Sequence, residues 1–294
     1  MNFVQYLHYN EKEISKMKKL IAIILALVMV LSLAACAGNK VDEPVADAPV
    51  VDAPVVDAPV DEPADEPADE PADEPADDVV VMSYAEFAAA ELDSPVVVET
   101  YVQAVESWWD GCVQLYTQAE DGAYYVYDLA CSEEDAAAFV PGTKIRVSGW
   151  KSEWSGEVEI TEATYEILDG NYIASATDVT ALLGTDALAD HMNQLVSIKG
   201  LTVAPSTDPN GNEVAYLYKW DGSGSQGDDL YFNVSAGDQV YTFTVNAYMI
   251  GTGSDSDVYK AIEALNIGDV IDVEGFLYWY NAAQPHITSV TVAE

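Results

Sequence analysis

From about residue 80 onward, apolar and polar residues alternate in short runs that are broken by Gly, Asp and Pro. β-Branched and aromatic residues dominate these runs, and strict alternation of this kind predicts strands with one buried face. Two similar sets of strands are predicted. The first set covers residues 96–106, 112–118 and 123–130, and the second covers 195–203, 229–235 and 239–247.

An internal repeat extends this likeness. Residues 142–150 (GTKIRVSGW) and 268–276 (GDVIDVEGF) both begin at a glycine, alternate apolar with polar, and end at a glycine followed by an aromatic. A short helical pattern with a capping-box-like start, at Ser132 or Ser254, precedes each copy. One more strand follows each copy, at 157–165 and 286–292. The order strand, strand, strand, helix, strand, strand therefore occurs twice.

This order resembles the OB-fold, a five-stranded Greek-key barrel with a helix between strands three and four. The resemblance implies a mainly β protein with two tandem OB-like barrels, at residues 80–170 and 171–294. We expect the second domain to have a helical lead-in at 178–192. We also expect its insertion, 204–228, to contain an added strand or hairpin arm at 214–220. A fold of this kind does not by itself specify a function.

The longest apolar run, residues 20–35, has no charge and lies between Met17-Lys18-Lys19 and Cys36. A basic start, an apolar core and small residues at a cleavage site make up a signal peptide. With Leu33-Ala34-Ala35 directly before Cys36, the segment resembles the signal of bacterial lipoproteins. The resemblance implies that Cys36 carries a palmitate-type lipid and anchors the chain at the extracellular face of the bacterial cell membrane. The alternative is a membrane helix, for which about 20 apolar residues are needed.

The remaining N-terminal residues have different compositions. Residues 1–16 are polar and of mixed charge, so we interpret them as a non-native extension, with Met17 as the initiator and 17–35 as the signal peptide. Residues 36–79 repeat Val-Asp-Ala-Pro and then Asp-Glu-Pro-Ala. Frequent prolines block regular structure and like charges extend the chain, which predicts a disordered acidic linker.

Acidic residues dominate the two predicted barrels. Residues 80–294 contain 34 of the 51 acidic residues and six of the 11 basic ones, so their formal net charge is −28. Proteins that bind nucleic acid nonspecifically gain most of their affinity from Lys and Arg on phosphates, and an acidic surface repels a polyanion. The charge therefore predicts that nucleic acid is a poor partner. It favours a glycan, a peptide or another surface protein.

The candidate ligand-binding residues follow from the OB resemblance. OB-folds bind ligands on strands two and three and on the loops that join strands 1–2 and 4–5. In the first domain these loops, 107–111 and 150–156, contain four of the six tryptophans, and two tyrosines are placed on the outward face of the hairpin. Rigid rings stack on sugars, aromatic side chains or bases. We therefore expect the ligand at Trp108, Trp109, Tyr116, Tyr124, Trp150 and Trp154.

Trp108 and Trp150 also have an alternative role. Either side chain could fill one end of the barrel and not bind a ligand. The second domain supplies Tyr278-Trp279-Tyr280 in its equivalent late loop, which gives weaker support to an aromatic site there.

The hairpin of strands two and three sets the relation between Cys112 and Cys131. A three-residue loop at 120–122 pairs Leu115 with Tyr127, two apolar positions. Since a slip of one residue exchanges the two faces of a strand, this register points the two cysteines apart. We therefore expect no disulfide between them.

No catalytic residue, metal site or cofactor is predicted. His191 and His286 have no His or Cys partner at ligand spacing, and the acidic loops 208–213 and 221–229 lack the glycine and distal Glu of an EF-hand. We expect a non-enzymatic, lipid-anchored surface protein that binds its ligand through aromatic loops. Two alternatives are left open: a hydrolase or the accessory subunit of a secreted enzyme, and a spacer lipoprotein without a small ligand.

Overall fold

The computed structural model describes residues 80–293. Cys36, the signal-like segment and the predicted linker lie outside the described residues. The first barrel has five strands: β1 (Pro95–Val105), β2 (Cys112–Gln118), β3 (Ala123–Ala130), β4 (Thr143–Trp154) and β5 (Glu157–Asn171). Their order is β1-β2-β3-β5-β4, and pairing of β1 with β4 closes the barrel.

Two short helices belong to this barrel: α1 (Tyr84–Ala89) and α2 (Glu133–Ala136). The α1 helix, which the sequence pattern did not predict, is fixed at Ser83 by reciprocal hydrogen bonds with Glu86. Lys151 fixes the other end of α1, since its Nζ donates to the carbonyls of Phe87, Ala88 and Ala90 at 2.8–3.0 Å. Phe87 is buried against the barrel core, so α1 covers one end of the first barrel.

The second half of the chain contains nine further strands, two 3₁₀ helices (Thr180–Leu182 and Asp186–His191) and helix α3 (Asp257–Glu263). The strands are β6 (Thr177–Asp178), β7 (Leu195–Ala204), β8 (Ser206–Thr207), β9 (Glu213–Val214), β10 (Tyr216–Tyr218), β11 (Leu230–Ala236), β12 (Gln239–Val245), β13 (Val270–Phe276) and β14 (His286–Val292).

Five of these strands close a second barrel. β7 pairs with both β11 and β13, β11 pairs with β12, and β14 lies between β12 and β13. The order is the same as in the first barrel, including a parallel contact between the third and fifth strands and a helix between the third and fourth. The predicted fold class, two tandem OB-like barrels, is confirmed. The predicted insertion adds β8, β9 and β10, of which β10 extends the sheet at β11.

The glycines of the sequence repeat have a common structural reason. Gly142 and Gly268 lie just before β4 and β13, with φ of +97° and +95°, values that residues with a side chain rarely adopt. Gly149 and Gly275 lie at register shifts where the neighbouring strand comes very close. A Cβ on Gly149 would be 2.7 Å from the carbonyl oxygen of Thr161, and one on Gly275 would meet the backbone of His286. The repeat therefore marks the same bend in both barrels.

A bulge in β3 changes the predicted hairpin register. Near the turn, Tyr116 pairs with Tyr125 and Leu115 with Val126, whereas Val113 pairs with Leu129. The extra residue is Asp128, whose φ is +48°. The predicted pairing of Leu115 with Tyr127 is therefore wrong, although the register beyond the bulge agrees with the prediction.

The same bulge decides where the cysteines and Tyr124 point. Cys112 lies opposite Ala130, and both Cys112 and Cys131 are free thiols. Because the bulge exchanges the faces of the residues before it, Tyr124 points into the barrel, where Tyr84 and Phe87 contact its ring. The predicted outward position of Tyr124 is wrong.

Each barrel has its own apolar core, and a third apolar cluster joins them. Tyr116 and Tyr125 from the first barrel pack there against Met249 and Phe276 from the second. Backbone hydrogen bonds of 2.8 Å, from Ser107 to Tyr248 and from Ile250 to Val105, continue the contact. Within the described range, no helix is long and apolar enough to span a membrane.

Candidate ligand-binding surface

The usual ligand face of the first OB barrel is covered by the second barrel. The outward side chains of β2 and β3 include Tyr116 and Tyr125, which are 1 % and 4 % exposed. The Tyr116 ring stacks on Phe276, with centroids 4.6 Å apart and planes 12° apart, and Tyr125 meets Tyr278 at 5.6 Å. Tyr116 is therefore an interface residue, and its predicted place on a free outward face is wrong.

His286 completes this interface. Tyr116 Oη lies 2.9 Å from His286 Nδ1, and the imidazole stacks on Tyr278 at 4.5 Å. Burial raises the pKa of Tyr116 and lowers the pKa of His286 to about 4. Both groups are thus neutral near pH 7, and the tautomer of the imidazole sets which of the two donates the hydrogen bond. This histidine has a structural role.

The corresponding face of the second barrel is formed by β11 and β12 and is not buried in this way. Its outward side chains include Tyr231, Asn233 and Thr242, which are half-buried, Val240, which is exposed, and Thr244, which is buried. The Thr242 hydroxyl donates to Asn233 Oδ1 at 2.8 Å, and Asn233 Nδ2 donates to the Pro205 carbonyl. This outer face of the second barrel therefore has ordered polar groups next to an aromatic ring.

An exposed aromatic pair is formed by loops of both barrels. Trp154, at the end of β4, and Tyr280, in the loop between β13 and β14, have ring centroids 5.2 Å apart and are 54 % and 45 % exposed. The two loops are tied together by a hydrogen bond from Asn281 N to the Ser155 carbonyl at 2.6 Å. Trp279 packs its indole over Gly156. The late loops of the two barrels thus form one composite aromatic site.

The aromatic pair adjoins the outer face of β11 through Tyr231. Burial raises the pKa of Tyr231 to about 12, and Asp229 and Tyr280 add to the shift. Tyr280 therefore lies close enough to Tyr231 to act on its hydroxyl. We call Trp154, Tyr280 and Tyr231 the aromatic rim.

The other three predicted tryptophans lie elsewhere. Trp109 is 79 % exposed and Trp150 is 44 % exposed, whereas Trp108 donates its indole N–H to the Cys131 carbonyl at 3.0 Å. Within the described residues, no two of the four tryptophans form an aromatic pair with each other. Of the predicted ligand residues, Trp154 alone belongs to the aromatic rim.

Most positive charge in the described residues is already engaged. Lys144 and Arg146 form ion pairs with Glu99 at 2.6 and 2.9 Å, Lys199 pairs with Asp178 at 3.0 Å, and Lys151 caps α1. Four of the six Lys and Arg side chains in the described range therefore have partners within the fold.

Three carboxyl groups at the barrel interface were missed by the sequence analysis. Burial raises the pKa of Glu106 to about 7, of Glu157 to about 8 and of Glu159 to about 6. Asp229 adds to the shift of Glu106, and Asp128 to that of Glu159. Glu157 and Glu159 alternate with apolar residues in β5, which is the pattern of a solvent-facing side. The second barrel covers that side, and alternation along one strand carries no signal for burial of this kind.

The acidic loop at 208–213 is a self-satisfied turn. Asp208 accepts hydrogen bonds from the backbone of Asn210 and Asn212 and from the Asn212 amide, at 2.8–3.0 Å. Among residues 80–293, no three His, Cys, Asp or Glu side chains are arranged to hold a metal ion.

No protein-family model and no curated protein matches the chain. Solved structures that resemble it include a murine DNA-binding protein bound to double-stranded DNA, with 12 % identity over 68 % of this chain and 99 % of that one, and a TM-score of 0.32. Another is the Ifi202 HINa domain with 20-base-pair double-stranded DNA, with 11 % identity, coverage of 69 % and 96 %, and a TM-score of 0.30. A Replication Protein A heterotrimer bound to single-stranded DNA has 9 % identity, coverage of 68 % and 49 %, and a TM-score of 0.28.

These structures correct the prediction about the ligand. Nucleic acid was expected to be a poor partner, and a glycan, peptide or protein was expected instead. The similar structures are of proteins in complex with double- or single-stranded DNA. The likeness itself concerns the fold.

Proposed function

We propose that this chain is a binding module without enzymatic activity, and that it holds a flat ring of its ligand against the aromatic rim. The observation that carries the proposal is the exposed pair of Trp154 and Tyr280, contributed by both barrels at 5.2 Å. Aromatic side chains bind flat rings over a large area with few torsions to fix. Asn233 and Thr242, on the adjacent face, supply amide and hydroxyl groups for the edge of such a ring.

The bases of a single-stranded nucleic acid are the first rings to test. A base stacks on an aromatic side chain whatever its identity, and each stack contributes about 1–3 kcal/mol. Since four of the six Lys and Arg side chains among residues 80–293 are engaged within the fold, stacking and not phosphate contact would supply the affinity. Binding of this kind depends weakly on salt, because few counterions are released.

The test compares two oligothymidylates, one with a phosphodiester backbone and one with an uncharged methylphosphonate backbone, by fluorescence anisotropy with the full chain. We expect the uncharged oligomer to bind at least as tightly as the charged one. The double variant Trp154→Ala/Tyr280→Ala should lose roughly 10- to 100-fold in affinity for both, from the stacking energies above. Trp109→Ala, which removes a more exposed ring elsewhere, is the control and should stay within about twofold of the unmodified chain.

Three results would contradict the proposal. Neither oligomer binds, or the double variant binds as well as the unmodified chain, or only the phosphodiester oligomer binds, with a steep loss of affinity as salt is added. The last result would mean that phosphate contacts dominate and that the aromatic rim is incidental.

We also propose that Cys36 carries a lipid that anchors the chain at the extracellular face of a bacterial membrane. The proposal is supported by Leu33-Ala34-Ala35-Cys36 after an uncharged apolar run. Growth with labelled palmitate should label the protein, and Cys36→Ser should abolish the label, whereas Cys112→Ser should retain it. Labelling that persists in Cys36→Ser would contradict the assignment.

A further inference from the structure

The outer face of the second barrel holds one asparagine between two flanking strands. Asn233 of β11 lies opposite Thr242 of β12 and, on its other side, opposite Ala204 of β7. Its Oδ1 accepts from the Thr242 hydroxyl at 2.8 Å, and its Nδ2 donates to the Pro205 carbonyl at 3.1 Å. The amide is therefore held across the strand, with its oxygen toward β12 and its nitrogen toward β7.

The Pro205 carbonyl fixes which end of the Asn233 amide is nitrogen. A carbonyl oxygen only accepts hydrogen bonds, so it requires the amide nitrogen beside it. Exchanging the two ends would set Asn233 Oδ1 against the Pro205 carbonyl, with two acceptors in contact. The orientation of the amide is therefore set within the fold, before any ligand arrives.

Half of the hydrogen-bonding capacity of this amide is available to a ligand. An amide oxygen has two lone pairs and an amide nitrogen has two N–H groups. Among the described residues, each end of the Asn233 amide has one partner. Thr242 and Pro205 occupy the two sides of the planar amide that face along the sheet. The remaining lone pair and the remaining N–H therefore point side by side, away from the sheet.

The approach to this donor and acceptor is open. Asn233 is half-buried, and Ala204 beside it has only a methyl group as its side chain. Tyr231 of the aromatic rim precedes Asn233 by two residues, so it lies on the same face, about 7 Å away along the strand. A ring that stacks at the aromatic rim thus has its edge within reach of the Asn233 amide.

We infer that Asn233 makes the aromatic rim selective for adenine, with Nδ2 donating to adenine N7 and Oδ1 accepting from the adenine N6 amino group. On this edge adenine presents an acceptor beside a donor, whereas guanine presents two acceptors. Cytosine presents a donor alone there, and thymine an acceptor alone. The inference rests on the proposed function, since it names the base that the aromatic rim holds.

The test compares oligodeoxyadenylate with an oligomer of 7-deazaadenine by fluorescence anisotropy with the full chain. In 7-deazaadenine a C–H group replaces N7, which removes the acceptor and keeps a ring that stacks. We expect the 7-deazaadenine oligomer and oligothymidylate each to bind roughly 5- to 100-fold more weakly than oligodeoxyadenylate, from the discrimination of one bidentate contact. This comparison of ligands needs no variant of the chain.

Variants of Asn233 then identify the residue that reads the edge. Asn233→Asp offers no N–H, and Asn233→Ala offers neither group. Each should bind the adenine and 7-deazaadenine oligomers within about twofold of each other, because removal of one partner cancels the effect of removing the other. Asn171→Ala, which removes an exposed asparagine at the end of β5 in the first barrel, is the control and should keep the full preference.

Equal affinity of the unmodified chain for the two adenine oligomers would overturn the inference. So would a preference for the N7-bearing oligomer that survives Asn233→Ala. If the oligomers bind through Trp154 and Tyr280 without such a preference, the proposed function stands and this inference alone fails. If no oligomer binds, both fail.

Discussion

Removing Tyr116 tests the finding that the ligand face of the first barrel is an internal interface. The side chain is 1 % exposed and stacks on Phe276 of the second barrel at 4.6 Å. Its hydroxyl is bonded to His286 Nδ1 at 2.9 Å. Tyr116→Ala removes both contacts, and Tyr116→Phe removes the hydrogen bond alone.

The expected magnitudes follow from these contacts. Truncating a buried aromatic ring to alanine costs about 3–5 kcal/mol, since a cavity remains where the ring was. Leaving the buried His286 Nδ1 without its hydrogen-bond partner costs about 1–3 kcal/mol more. We therefore expect a loss of roughly 5 kcal/mol of unfolding free energy for Tyr116→Ala and about 2 kcal/mol for Tyr116→Phe. A domain is stable by about 5–15 kcal/mol, so the larger loss is a third or more of the total.

The assay is equilibrium unfolding of the full chain in guanidinium chloride, followed by fluorescence and circular dichroism. Tyr248→Ala is the control, because Tyr248 is exposed and its truncation should cost at most about 0.5 kcal/mol. If Tyr116→Ala lowers the unfolding free energy no more than Tyr248→Ala does, the Tyr116 ring is not buried between the barrels. The ligand face of the first barrel is then free. If the unmodified chain unfolds in one transition and Tyr116→Ala in two, the interface is what couples the barrels.

Three further predictions concern stability. Lys151→Met should lower the unfolding free energy by roughly 3 kcal/mol in denaturant titrations, because three carbonyls at the end of α1 lose a charged donor; no loss would contradict the capping role. The pKa of Glu106 is raised to about 7 in the folded chain, so the folded state holds this proton more tightly than the unfolded state does. Unfolding free energy should therefore fall by about 2 kcal/mol as the pH rises from 4.5 to 7, and Glu106→Gln should remove this contribution from the pH profile. Gly275→Ala should cost about 2 kcal/mol or more by melting, because its Cβ meets the His286 backbone, whereas Gly253→Ala has room and should be tolerated.

Strand positions were predictable because they depend on local alternation. The observed bounds of β2, β3 and β14 coincide with the predicted residues 112–118, 123–130 and 286–292. The glycines of the repeat were informative for the same reason, since each is required by the local backbone at its position.

The sequence pattern did not predict two other local features, because each depends on a single residue. The bulge at Asp128 exchanges the faces of the preceding residues, and alternation gives no sign of an inserted position. Helix α3 begins after Ser256, two residues beyond the predicted start, because Ser254 and Ser256 offer similar caps and packing selects one. The proposed lipid anchor at Cys36 stays a prediction from the N-terminal sequence.

The sequence alone determined the two barrels, because side-chain alternation and glycine placement act within each strand and its nearest partner. Only the tertiary structure decided which outward faces are free. The outward tyrosines of β2 and β3 and the glutamates of β5 have the periodicity of a solvent-facing side, and they are buried because the second barrel packs on them. Periodicity records which side of a strand faces away from its own barrel core. It contains no information on whether water or another barrel lies there. Because the second barrel covers the ligand face of the first, the candidate site is the aromatic rim that both barrels share.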